Sequence, residues 1–243
     1  MDRRQLAFCS RATVGLLCAA FLLTGPSFAQ TESKTTNPPR PQAEPSPPPV
    51  TNQLQAQTQA PPPLTPERCL MLVRSCEPQI PKWMEAGKNT IHALIPDPQA
   101  YEKTLPPIEK VVSDKDKLNL KNYGGLSEAY LYSGDEATCQ KLYSIFASNA
   151  KPILGPDDIF SAGVEGDIGL YYFNKQDYVR AAPFMTEAIA QLESHLTPAN
   201  SNNLVAAYMC MALIRDKAGD KTEAETYAKK SIDLTLKQRQ PMK

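Results

Sequence analysis

The 243-residue sequence has no surplus of either charge, because 26 Lys and Arg side chains balance 26 Asp and Glu side chains. A nucleic-acid-binding domain normally carries a basic surplus, so the balance argues against a nucleic-acid partner. Glycine is scarce at 11 residues, tryptophan occurs once, as Trp83, and aromatic residues make up only 7% of the chain. A core built mainly from Ala, Leu, Ile, Met and Tyr favours thin helical layers over a thick β-sandwich.

Residues that carry out chemistry are also scarce. The two histidines, His92 and His195, have no cysteine or acid at metal-ligand spacing. No phosphate-binding loop, dinucleotide fingerprint or nucleophile elbow occurs. Ser161 and Ser194 lack a third triad member at a suggestive spacing, and we interpret His195 as a helix cap. The sequence therefore predicts a protein that is not an enzyme, with no catalytic residues, metal site or cofactor.

The N-terminus has the features of an export signal. Arginines precede an apolar run at residues 12–25, and small residues stand where signal peptidase reads the chain. This pattern predicts a signal peptide over 1–29, cleaved between Ala29 and Gln30. The apolar run is shorter than the roughly 20 residues of a transmembrane helix, so we expect no stable membrane insertion after cleavage. An uncleaved anchor and, from Arg3-Arg4, the twin-arginine route stay open; either way the protein is expected in the periplasm or outside the cell.

Four cysteines follow the predicted signal peptide. In an oxidising compartment an even number permits disulfides, with three pairings. Cys69 and Cys76 are the candidate pair, although on one continuous helix they stand about 10 Å apart, beyond bridging distance. A bridge between them requires the helix to break. Cys139 and Cys210 are interpreted as thiols buried in helix packing.

The segment 30–66 contains 11 prolines in short clusters among polar residues. Such a stretch cannot bury enough apolar surface to offset its ordering entropy, so we predict a disordered linker. In an extended form it reaches on the order of 100 Å. It fits a spacer or a ligand for a proline-recognising partner, and a disordered leader without a partner is the alternative.

The chain repeats itself from residue 118 onward. Three tight turns place Asp135, Asp177 and Asp220 at intervals of 42 and 43 residues. Each aspartate is predicted to cap the helix that follows. Four residues after each aspartate stands a small residue, as two closely approaching helices require; these are Cys139, Ala181 and Ala224. The agreement of independent markers indicates a real repeat.

Apolar residues on both sides of the turns recur at helical spacing, and no comparable alternating stretch occurs. The sequence predicts an all-α domain over 118–237 with three helical hairpins at about 118–150, 158–194 and 200–237. Residues 67–117 are predicted to add helices at 67–76, 82–94 and 98–112. They form either a degenerate preceding repeat or a cap, since an end repeat has one uncovered apolar face.

Residues 169–184, with the sequence GLYYFNKQDYVRAAPF, resemble a tetratricopeptide repeat of the long type found in kinesin light chains and many bacterial proteins. Gly169 stands where that family has a small residue in the first helix, and Ser127 and Ala212 occupy the matching places. The third repeat departs with Arg215 at an aromatic position. The resemblance implies stacked antiparallel hairpins in a right-handed solenoid.

In that family the first helix of each hairpin lines a concave groove that binds a protein or peptide. The resemblance therefore implies a partner-binding groove; its residues are Glu128, Leu131, Tyr132, Leu170, Phe173, Asn174, Met209, Leu213 and Lys217. Apolar centres with polar edges suit a peptide or a partner's helix. The Lys and Asn side chains with which chaperone-binding members of the family hold a partner's terminal carboxylate are missing.

These observations predict an exported protein-interaction module or scaffold whose partner the sequence does not name. The alternative is a self-associating component of the cell envelope, because no cap follows the last repeat beyond Lys237. An enzyme with an unrecognised site comes last.

Overall fold

A computed structural model of the chain describes residues 64–107, 110–111, 116–155 and 158–239. Regular structure in these ranges is helical and contains no strand, which confirms the all-α prediction. The predicted signal peptide, its cleavage site at Ala29 and Gln30, and the linker as far as residue 63 lie outside the described residues.

The described helices, in chain order, are α1 (Pro66–Cys76), α2 (Ile80–Leu94), α3 (Pro98–Glu102), α4 (Lys117–Ser133), α5 (Glu136–Leu154), α6 (Phe160–Asn174), α7 (Tyr178–Ser194), α8 (Ser201–Lys217) and α9 (Lys221–Arg239). A single 3₁₀ turn, Glu77–Gln79, joins α1 to α2. The three later helix pairs, α4–α5, α6–α7 and α8–α9, are hairpins whose members pack along each other, and the first helices of neighbouring hairpins are in contact.

The three hairpin turns share one backbone geometry. A residue with left-handed φ follows each first helix: Gly134 at 92°, Gln176 at 61° and Gly219 at 84°. The next N–H, always that of an aspartate, donates to the carbonyl five residues earlier at 2.9 Å in all three turns. This is the hydrogen bond that closes a Schellman motif. The repeated turn fixes the angle at which each hairpin's second helix leaves.

The predicted helix caps are confirmed. The aspartate carboxylates accept hydrogen bonds from the third N–H beyond them, at 3.0 to 3.1 Å; the pairs are Asp135 with Thr138, Asp177 with Arg180 and Asp220 with Glu223. These bonds satisfy backbone donors that the first helical turn leaves unpaired. The donated backbone bond is the main reason why the pKa values of Asp135 and Asp177 lie below the ordinary aspartate value.

Small residues lie where the helices of a hairpin approach. Cys139, Ala181 and Ala224 are fully buried, as their spacing predicts. A Cβ atom on Gly169 would lie 3.0 Å from Cε of Met185 on the facing helix. Close approach of α6 and α7 therefore depends on the absence of a side chain at this position.

The N-terminal helices do not form a hairpin placed ahead of the first repeat. Backbone angles from Cys76 to Ile80 stay in the right-handed helical region. The chain therefore does not reverse direction between α1 and α2. Helix α1 packs on α8 and α9, and α2 packs on α4 and α6. The segment 66–94 thus crosses from the last hairpin to the first, and α1 covers the helix at the C-terminal end.

The helix predicted over 98–112 is shorter than expected. Asp97 caps α3 through the Ala100 N–H at 3.0 Å, but α3 ends at Glu102 and a turn follows. Pro106 and Pro107 cannot continue a helical hydrogen-bond ladder, which explains the early end. Tyr123 of α4 donates to the Pro106 carbonyl at 2.7 Å and so ties this connection to the first hairpin.

Candidate functional site

The predicted groove residues all lie on the first helices of the hairpins, α4, α6 and α8, and the contacts among these helices bring them to one region. Six of the nine are at most 5% exposed: Glu128, Leu131, Leu170, Phe173, Met209 and Leu213. Tyr132 and Asn174 are half-buried, and Lys217 is exposed. In this conformation the positions form the interior of a packed face rather than an open groove.

The later part of each first helix is buried around its whole circumference, in α4 over residues 123–131. In α6, residues 168–173 are buried without interruption, and in α8 residues 207–214 are as well. A first helix packed only on its own hairpin and its neighbours would leave one side in contact with water. A further element must therefore cover that side.

The element that covers the predicted groove is the segment 66–94. Helix α2 packs on α4 and α6, and α1 packs on α8. Gly87 of α2 lies so close to the groove residue Tyr132 that a Cβ atom would be 3.5 Å from the tyrosine oxygen. We call the surface formed by α4, α6 and α8 under this segment the inner face.

The covering segment carries one apolar stripe. Its positions are separated by steps of three and four residues, continue through the 3₁₀ turn, and are all buried apart from the half-buried Gly87; they are Cys69, Val73, Cys76, Ile80, Trp83, Gly87 and Ile91. Such spacing places side chains along one side of a helix. The inner face therefore holds an amphipathic helix by its apolar side.

Two ion pairs connect the end of α1 and the 3₁₀ turn that follows it to the end of α8. Arg74 donates to Asp216 through Nε at 2.7 Å and Nη2 at 2.5 Å, a bidentate pair. Lys217 Nζ lies 2.9 Å from Glu77 Oε1. Hydrogen bonding to Arg74 lowers the pKa of Asp216, and hydrogen bonding to Glu77 raises the pKa of Lys217. We call these two crossed pairs the latch.

The latch was not predicted from the sequence. Arg74 and Glu77 stand far from Asp216 and Lys217 along the chain, and single charges near helix ends are common. One sequence signal was present, since Arg74 and Glu77 are three residues apart and Asp216 and Lys217 are adjacent with opposite signs. Only the path of 66–94 shows that these two groups face each other.

A polar cleft of about 270 Å³ lies between the start of α6 and the end of α7; its lining includes Asp158, Ser161, Gln191 and His195. Beside it the buried Glu165 accepts from Tyr143 at 3.1 Å and from Gln191 at 2.6 Å. Ser161 donates to the Gln191 side chain at 2.5 Å. These bonds tie α5, α6 and α7 together.

His195 ends α7, as predicted. Its backbone N–H donates to the Gln191 carbonyl at 3.2 Å, and its Nδ1 lies 3.3 Å from the same carbonyl and 2.8 Å from Ser194 Oγ. Ser194 also donates to the Gln191 carbonyl at 2.9 Å. The serine and histidine therefore take part in ending the helix.

The four cysteines in the described ranges are free and buried. Cys69 and Cys76 lie on the uninterrupted helix α1, so the candidate bridge between them is not formed, for the reason of distance given above. Burial raises the pKa of the Cys139 thiol to about 12 and that of the Cys210 thiol to about 12 as well. Thiols in this state are poor nucleophiles.

Among the residues that the structure describes, no three His, Cys, Asp or Glu side chains are grouped to hold a metal ion. None of the described helices combines the length and the apolar character needed to cross a membrane. No protein-family model, curated protein or solved structure matches this chain.

Proposed function

We propose that this chain is an exported, non-catalytic protein-interaction module whose inner face binds a helical segment of a partner protein. One observation carries the proposal: three repeated hairpins present their first helices to a helix that lies outside the repeats. A surface that holds 66–94 has the shape and apolar character for an amphipathic helix in general. We include in this proposal that the three hairpins are arranged as a tetratricopeptide-like solenoid.

The charges at the edges support a role in specific recognition. Lys217 and Asp216 lie at one end of the inner face, and the half-buried Asn174 lies at the end of α6. Apolar contacts supply most of the affinity of a helix in a groove, while charged edges select the partner and its direction. The inner face has both components.

The export part of the proposal rests on residues 1–29, with cleavage between Ala29 and Gln30. The proline-rich segment then places the helical domain at a distance from whatever holds its N-terminus, by up to about 100 Å if extended. A partner in the cell envelope is consistent with both features.

Self-association is the second candidate, and one observation favours it. Met71 and Leu72 on α1 and Leu236 on α9 are 65%, 39% and 46% exposed, and the two helices pack on each other. An apolar surface of this kind suits contact with a second copy. It lies on the side of the molecule formed by α1 and α9.

Site-specific photocrosslinking in the producing cells tests the proposal. A photoreactive phenylalanine at Asn174 reports on the edge of the inner face, and the same group at Val179, 86% exposed on α7, is the matched control. We expect a protein adduct from position 174 and none from 179. Adducts from 179 alone, or none from either position, would contradict the proposal, and adducts of twice the chain's mass would favour self-association.

A further inference from the structure

The segment 66–94 is built like a bound ligand of the repeats. It is helical, it crosses all three first helices, and its buried side chains are those of the apolar stripe together with Leu70; Trp83 is the largest of them. The outer side of α2 is polar, with Glu85 and Lys88 about half exposed, whereas α1 also exposes Met71 and Leu72. An amphipathic helix from another protein could make the same contacts.

The latch fixes where such a helix must carry charge. Arg74 and Glu77 are separated by three residues, nearly one helical turn, and meet Asp216 and Lys217 respectively. A helix entering with its charges reversed would set like charges against each other at both places, which is unfavourable. The inner face thus favours a base followed three residues later by an acid.

Both latch pairs are reachable from water. The exposed side-chain fractions are 49% for Arg74 with 15% for Asp216, and 38% for Lys217 with 32% for Glu77. A competing helix can therefore engage Asp216 and Lys217 as the chain's own pairs separate, without first unfolding the hairpins.

We propose, building on the function above, that 66–94 is an in-chain competitor for the inner face, and that the external partner is an amphipathic helix with the same stripe and the same base-to-acid order. The partner binds when α1 and α2 move away. Its apparent affinity is reduced by the fraction of molecules in which the segment is still seated. Weakening the latch consequently strengthens partner binding.

The single tryptophan allows the displacement to be measured in the whole protein. Trp83 lies on α2 and is 5% exposed. A labelled peptide of residues 66–94 with Trp83→Phe serves as the probe, since it contributes no tryptophan emission. We expect saturable binding by anisotropy, together with a shift of the protein's tryptophan emission to longer wavelength as Trp83 enters water.

Two variants examine the latch. Arg74→Ala in the full chain should bind the peptide about twofold to fivefold more tightly, the range expected for one exposed ion pair. Lys88→Ala is the matched control: it removes a charge of the same sign from the segment but breaks only a 3.9 Å pair within α2. A peptide with Arg74→Glu and Glu77→Lys should bind the unmodified protein at least about threefold more weakly. This arm needs no protein variant and so cannot fail through misfolding.

The outcomes separate the two proposals. Peptide binding with unchanged tryptophan emission would overturn the displacement and leave the proposed function standing. Absence of peptide binding, or equal binding of the charge-reversed peptide, would overturn the inference about the partner's chemistry. The crosslinking at Asn174 decides the proposed function independently of these results.

Discussion

Gln176 is expected to be the least favourable residue of the three hairpin turns. It has a φ of 61°, in the left-handed region, where the equivalent positions are Gly134 and Gly219. A residue with a Cβ atom loses about 1–2 kcal/mol in that conformation, whereas glycine adopts it freely. The same turn is thus formed three times, twice by a suitable residue and once by an unsuitable one.

The magnitude follows from two opposing contributions. Gln176→Gly removes the left-handed penalty but gives the unfolded chain more freedom, which costs about 0.5–1 kcal/mol. The net expectation is an increase of about 0.5–1 kcal/mol in the free energy of unfolding, or a Tm rise of about 1–4 °C for a domain of this size. Gln176→Ala should change little, because alanine has the same backbone penalty.

Gly219→Ala is the reverse experiment. A Cβ atom at Gly219 would meet nothing within 4 Å, so steric contact adds nothing to the backbone effect. We expect the free energy of unfolding to fall by about 0.5–1 kcal/mol. Urea unfolding of the three variants, followed by circular dichroism, measures these changes. Shifts of the Gln176→Gly and Gly219→Ala variants in the same direction would refute the reasoning.

The hairpins could be predicted from the sequence because their signals are local. The aspartate caps and the small residues Cys139, Ala181 and Ala224 act within a few residues of one turn, so a period in the sequence became a period in the structure. The equivalence of Gln176 with the turn glycines was also implicit in that period. The period does not give backbone angles, so the left-handed φ became evident only in the structure.

The path of 66–94 could not be predicted because amphipathicity does not say which surface a helix covers. The stripe through Val73, Ile80 and Trp83 fits a preceding repeat, a cap or the inner face equally well. A complementary signal was present in α6 and α8, whose apolar runs are long enough to surround the helix. A helix that is apolar on every side is expected to be buried on every side. The apolar run that surrounds α6 therefore argues against an open groove at Leu170 and Phe173.

Three further tests examine the packing and the caps. Ala181→Leu, at a fully buried position, should overpack the α6–α7 contact and lower the free energy of unfolding by about 1–3 kcal/mol; an unchanged urea midpoint would contradict this. Because the pKa values of Asp135 and Asp177 are lowered by folding, their stabilisation is present above the unfolded aspartate pKa of about 3.9 and is lost as the pH falls below it. The Asp135→Asn, Asp177→Asn variant should therefore lose less stability than the parent between about pH 5 and pH 3, and equal losses would show that the caps do not titrate as argued. The last test compares two helical glycines, one at a crowded position and one with open space around it. A Cβ atom at Gly124 of α4 would lie 2.7 Å from a ring carbon of Phe160, whereas one at Gly166 of α6 would meet nothing within 4 Å. Gly166→Ala should then raise the free energy of unfolding by about 1 kcal/mol through helix propensity alone, and Gly124→Ala should lower it by about 1–3 kcal/mol because the gain in propensity is smaller than the cost of overpacking. Stabilisation by both substitutions in urea unfolding would mean that α4 and α6 do not approach as closely as the inner face requires.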